Sequence, residues 1–185
     1  MICSCSGKDD FSRKEKKLLK QCDSTMRVLT IDNPEDSLIL RRKCSRIPVK
    51  ALDSKEYNKL AELMIATVTS PEQDGVGIAG PQVGISRRIV AVQRFDKEGE
   101  PFEVYPNISI ISVNGDMEEG PEGCLSVPGR KGVVPRYQEI SIRYSKGQKD
   151  TMEHVQGYTA VIFQHECDHL DGIVYTDKAT SVTNL

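Results

Sequence analysis

The 185 residues suffice for one domain with a full core and are too few for two ordinary ones. Lys and Arg (25) nearly balance Asp and Glu (27), so the net charge of -2 gives no electrostatic reason to expect nucleic acid or an anionic membrane as the main partner. Cys3, Cys5, Cys22, Cys44, Cys124 and Cys167 lack the density of a secreted disulfide scaffold, and no apolar run reaches the length of a membrane span. The expectation is a cytoplasmic chain with mostly reduced thiols.

Met1-Ile2-Cys3-Ser4-Cys5-Ser6-Gly7 opens an alternative, because a cysteine followed by small polar residues is also what a trimmed bacterial lipoprotein signal leaves. A lipid-anchored or exported form is therefore the second localisation. Residues 1–26 read as a Lys-rich, partly ordered arm, with Lys14, Lys16, Lys17 and Lys20 on a solvated face that could form a short helix. Val28 to Ile47 reads as a surface wrap. A capping box at Asp53 and Glu56, then Tyr57, Leu60, Ala61, Met64 and Val68 at helical spacing, predict a helix over 54–69 that ends before Pro71.

Arg88 to Arg94, Ile108 to Val113 and Glu139 to Tyr144 are rich in Ile and Val and bounded by turn formers such as Asn114-Gly115, which predicts antiparallel strands. A last helix runs from Tyr158 to Asp171, with Gly157 before it and Gly172 where a helix end prefers glycine. Helices beside short strands make an α+β domain.

His165-Glu166-Cys167-Asp168-His169 places two imidazoles at i and i+4 on one helix face, where together they can grip a metal. Glu166 is placed to take a proton from a water on that ion. Cys167 lies about 200° round the helix from His165 and reads as core. Asp168 either orients a histidine or pairs with a base such as Arg136.

A catalytic site needs a third protein ligand. No glutamate follows Glu166, and Tyr175 stands where the HExxHxxGxxH pattern requires histidine, so both common protease arrangements are disfavoured. His154 is a weak candidate on a strand. Among the cysteines Cys124 stands out, in the glycine-bearing segment Glu122-Gly123-Cys124-Leu125-Ser126. A metallopeptidase and a noncatalytic protein with a structural ion remain the alternatives.

Three segments together resemble peptide deformylase: Gly75-Val76-Gly77-Ile78-Ala79-Gly80-Pro81-Gln82 (GxGxAxxQ), Glu122 to Ser126 (EGCxS) and Gln164 to His169 (QHExDH). The resemblance covers about 27–177. It implies one catalytic domain over 27–185, with antiparallel sheets packed around a central helix that carries the HExxH motif. It further implies removal of the formyl group from formyl-methionine on nascent polypeptides, with attack by a metal-bound hydroxide.

The family places the ion on the residues matching Cys124, His165 and His169, natively Fe²⁺ with Zn²⁺, Ni²⁺ or Co²⁺ as substitutes. It assigns acid/base work to Glu166 and oxyanion donors to the Gln82 amide and the Leu125 backbone N–H. Val76 and Gly77 would pair with the peptide, Val161 and Ile162 would line a methionine slot, and Gly129 and Arg130 would contact the following residues. A monomer that meets the ribosome transiently fits, with no membrane span and no sequence-specific nucleic acid.

Two departures stand out. Gly80 replaces the usual alanine and is expected to loosen the Gln82 loop, and the 16 residues after His169 leave no room for a long C-terminal helix.

Overall fold

The computed structural model describes residues 10–185, so Cys3, Cys5 and the segment resembling a trimmed lipoprotein signal lie outside the described residues. Four α-helices and seven strands follow in the order α1 (Arg13–Gln21), α2 (Pro34–Leu40), α3 (Lys55–Val68), β1 (Gly77–Ala79), β2 (Ile89–Gln93), β3 (Phe102–Pro106), β4 (Ser109–Cys124), β5 (Val127–Lys146), β6 (Lys149–Gln156), α4 (Gly157–Leu170) and β7 (Ser181–Asn184). Short 3₁₀ turns occupy Val49–Asp53, Gly80–Val83 and Tyr175–Asp177. No described helix is long and apolar enough to cross a membrane.

The pairings among the seven described strands are antiparallel, and an isolated bridge between Ser45 and Arg87 is parallel. One sheet has the order β1-β2-β3; the other has the order β4-β5-β6, with β7 also on β5. α4 lies against both, its Ala160, Ile162, Phe163, Cys167 and Leu170 sharing a cluster with Val90, Val92, Tyr105, Ile140 and Ile142. A second cluster joins α1 and α3 to the first sheet through Leu19, Leu60, Met64, Ile78 and Ile89. This is the α+β arrangement around a central motif helix that the sequence predicts.

The Lys-rich stretch differs from a solvated arm. Ser12 and Glu15 form a complete capping box, and Phe11 and Leu19 are buried. Glu15 then accepts two hydrogen bonds from Arg87, at 2.7 and 3.0 Å, a contact 72 residues away in sequence that no local pattern reveals. The surface wrap contains α2, whose cap Asn33 accepts from the N–H groups of Glu35 and Asp36 ahead of a proline in the first turn. At α3 the cap is Ser54, accepting from Tyr57 N–H, rather than Asp53.

β4 and β5 run well beyond the apolar stretches expected for them. Asn114-Gly115 is not a turn but a bulge within β4, where the register slips between Asn114 and Met117 and Gly115 takes a φ of +74°. The true reversal is the two-residue link Leu125-Ser126, with Cys124 opposite Val127. After α4 the chain makes a 3₁₀ turn and ends in β7.

α4 stops as expected at Gly172. Its N–H donates to His169 O and that of Ile173 to Asp168 O, the paired bonds of a Schellman end, with Gly172 at φ +78°. A Cβ there would sit 2.5 Å from Arg41 O. Gly172→Ala is therefore expected to lower the unfolding free energy by about 1–3 kcal/mol. Urea denaturation checks this, and a midpoint equal to the parent's would contradict it.

Candidate active site

The three sequence segments converge at one place. Cys124 Sγ and one ring nitrogen from each of His165 and His169 lie within 4.8 Å of one another, and Cys124 Sγ is 3.2 Å from His169 Nε2. α4 supplies both imidazoles from one face, and the end of β4 delivers the thiol. Cys167 is buried in the core cluster, and exposed His154 bonds to Gln156; neither joins the donor group. Tyr175 instead stacks over His165, with centroids 6.2 Å apart.

The tie between hairpin and helix is a chain of charges. Glu122, two residues before the thiol, receives His165 Nδ1–H at 2.7 Å, which leaves Nε2 of that ring to face the thiol. Arg136 donates to both Glu122 oxygens, at 2.7 and 3.1 Å, and to Asp168 at 2.6 Å. Lys178 closes the chain on the other Asp168 oxygen. The Asp168–Arg136 pair was one of two sequence expectations; Glu122 was seen only as part of a motif. Its signal was the carboxylate two residues ahead of a candidate ligand.

Burial acts to raise the Glu122 pKa, but the hydrogen bonds from His165 and Arg136 outweigh it and hold the carboxyl down to about 2. Glu166 has no such partners. It is 3% exposed, its Oε2 has no hydrogen bond, and burial pushes its pKa up to about 7 despite the opposing His165. Room for this carboxyl comes from Gly77, where a Cβ would lie 2.6 Å from Glu166 Oε1.

Gln82 is 1% exposed, and its amide is oriented by Ala79 N–H, which donates to Oε1 at 2.8 Å. The Nε2 end therefore faces the site, 3.2 Å from Ser126 Oγ and 3.6 Å from Cys124 Sγ. Gly80 tightens this loop rather than loosening it, since a Cβ would stand 2.7 Å from the carbonyls of Ile85 and Arg87. Leu125 occupies the hairpin turn beside the thiol.

A cavity of about 610 Å³ opens over these groups. Val76, Gly77, Gln82, Cys124, Leu125, Gly129, Arg130, Val161, Ile162, His165 and Glu166 all line it, so every expected substrate-contact residue reaches one space. Tyr158 also lines the cavity and was missed, because at the first turn of a helix nothing distinguishes it from surface. Arg130 is held by Asp32 at 2.8 Å.

Several observations show that these residues fit a cation. The donor set is one sulfur and two imidazoles, suited to first-row divalent metals. Burial pushes His169 well below the usual imidazole range and so keeps it a neutral donor. Burial acts in the same direction on His165, yet the Cys124 sulfur and Glu122 outweigh it and raise that ring well above the range; positive charge is favoured at this point. The group contains three protein donors among the described residues, the count of a catalytic site rather than a closed structural one.

Such a centre, in an antiparallel α+β domain, places the protein among the metal-dependent hydrolases. The polypeptide deformylase family model matches residues 25–184. A peptide deformylase of Desulforudis audaxviator is 45% identical over 69% of this chain and 80% of its own length. One from Symbiobacterium thermophilum is 38% identical over 80% of this chain, but the match spans 65% of that protein, just under two thirds. A crystal structure of a class I type b peptide deformylase from Acinetobacter baumannii, bound to Met-Ala-Ser, superposes with a TM-score of 0.73 at 34% identity, covering 83% of this chain and 98% of that one. The chain belongs to the polypeptide deformylase family.

Replacing Glu122 tests the electrostatic frame. Because its folded carboxyl is held below the ordinary glutamate value of 4.5, its stabilisation is complete above that pH and drains away as the pH falls towards 2. Glu122→Gln is expected to flatten that acid limb of the stability curve, to lower stability at neutral pH by a few kcal/mol, and to weaken metal binding by about 10–100-fold. Denaturation across pH and a chelator competition read these effects. A variant with the parent's acid limb and affinity would refute the role.

Proposed function

We propose that the protein hydrolyses the N-formyl group of formyl-methionine at the N-terminus of nascent polypeptides and releases formate. The supporting observation is the convergence of Cys124, His165 and His169 with the Gln82 amide and the buried Glu166 carboxyl in one cavity. A divalent cation on those three donors would acidify a bound water and polarise the formyl oxygen. Fe²⁺ is the proposed native ion, with Zn²⁺, Ni²⁺ or Co²⁺ as substitutes.

The chain's own groups complete the chemistry. Gln82 Nε2 and the Leu125 backbone N–H donate to the formyl oxygen as it takes on charge. Glu166 accepts the proton of the attacking water and returns it to the amide nitrogen, so that the C–N bond breaks to give formate and a free amine. Without that proton the nitrogen would have to leave as an amide anion.

Substrate placement follows from the strands. β1 is the outer strand of its sheet, paired on one side with β2, so Val76 and Gly77 can add an extended peptide along the other. Val161 and Ile162, about one helical turn before His165, line the slot for an unbranched methionine side chain. Gly129 and Arg130 border the space beyond it. The Met-Ala-Ser bound to the Acinetobacter baumannii enzyme supports a peptide in this groove. A cytoplasmic monomer in passing contact with the ribosome is the matching cellular reading.

Anaerobically purified, nickel- or iron-loaded protein should release formate from formyl-Met-Ala-Ser, and Glu166→Ala should lower kcat by at least about 100-fold. No formate from loaded protein, or undiminished formate from the variant, would overturn the reading. Cys167→Ala should keep its metal while Cys124→Asp should not bind it alike.

The pH profile provides a separate check. Glu166 must be ionised to accept a proton, and its carboxyl lies at about 7 before any cation lowers it. The acidic limb of kcat/KM should therefore have its midpoint between the ordinary 4.5 and about 7, with activity lost below it. A flat profile through that window would exclude Glu166 as the base.

A further inference from the structure

The balanced overall charge conceals a segregated one. α1 carries Arg13, Lys14, Lys16, Lys17 and Lys20 in nine residues, against a single acid, Glu15. Lys16 is paired with Asp10, and Glu15 is turned inward on Arg87. Arg13, Lys14, Lys17 and Lys20 are exposed and pair with no acid among the described residues. Arg13, Lys17 and Lys20 follow one another at i, i+4 and i+7, a single stripe about 10 Å long, with Lys14 beside Lys17.

Like charges at these spacings oppose helix formation. The helix is nevertheless anchored by its capping box, by buried Phe11 and Leu19, and by the Arg87–Glu15 pair. It also precedes the family match, which begins at residue 25. A docked addition to the family domain thus presents an outward face made of cations.

We propose that this face of α1 binds the surface of an anionic phospholipid membrane. The apolar side of α1 is already committed to the core, so the contact is one of charge on a headgroup plane, without insertion. RNA fits less well. Single-strand binding relies on aromatic stacking, and the one aromatic among the exposed large hydrophobic residues, Tyr158, lines the cavity.

Co-sedimentation of the full chain with vesicles tests this without turnover, so its failure is distinct from failure of the deformylase reading. Vesicles of equal parts phosphatidylglycerol and phosphatidylcholine should bind the protein, and pure phosphatidylcholine should not. Binding should vanish near about 1 M salt, where the Debye length is ~3 Å. The R13Q/K14Q/K17Q/K20Q variant should lose about five-fold in partition per charge removed, with its helical signal and its release of formate from soluble peptide unchanged.

K14R/K17R/K20R should bind as the parent does, which guards against a folding artefact in the neutralised protein. Equal binding to both vesicle types, or a neutralised variant that binds like the parent, would overturn the proposal. So would an RNA oligonucleotide that binds more tightly than anionic vesicles and displaces them.

Discussion

The buried guanidinium of Arg136 holds the site together. It sits between Glu122 on β4 and Asp168 on α4, and its own position on β5 makes three elements share one charge. An ion pair this deep gains little net stability over apolar packing, but losing either partner strands a charge in the core at a cost of roughly 3–5 kcal/mol. Its effect is therefore on geometry. In the register that pairs these groups, β4 ends with its Cys124 thiol beside the two imidazoles.

The same helix has to bury polar atoms on its inner face, and each solution differs with its task. Gln164 is fully answered, accepting from Tyr137 N–H and donating to the carbonyls of Tyr137 and Ala160. His165 is answered by Glu122. Glu166 is left partly unanswered, and the consequence is a carboxyl near pH 7, able to both take and give a proton under ordinary conditions. Gly77 permits this by withholding a side chain from the space that the carboxyl occupies. Protein cores rarely leave a polar atom unpaired, and on this helix Glu166 Oε2 shares that condition with Thr159 Oγ1 and His169 Nδ1.

Much of this was legible from short-range patterns. The two histidines one turn apart and the Gly172 stop lie within a turn of the element they define, and the structure has them there, whereas Asn33-Pro34, read as part of a surface wrap, opens α2. The three motifs named the donors without showing how they meet. Sequence reading failed where the deciding contact is distant. α1 is ordered by Arg87, and the polar halves of β4 and β5 are strands because they pair with each other, not because their residues favour it. Asn114-Gly115 misled for the same reason, since a left-handed glycine serves a bulge as well as a turn.

The donor chemistry also separates this site from the protease arrangements that its helix motif first suggests. A third histidine or a glutamate would come from the same stretch of chain as the helix, whereas Cys124 comes from the β4–β5 hairpin, so the hairpin itself lines the cavity. Leu125 and Gly129 of that hairpin line the same opening as Val161 and Ile162 of α4. Taking the thiol from the last residue of β4, directly before the turn, thus sets the candidate donor and the Leu125 backbone beside it together. Gly77, where a Cβ would lie 2.6 Å from Glu166 Oε1, then leaves only backbone between this opening and the buried carboxyl.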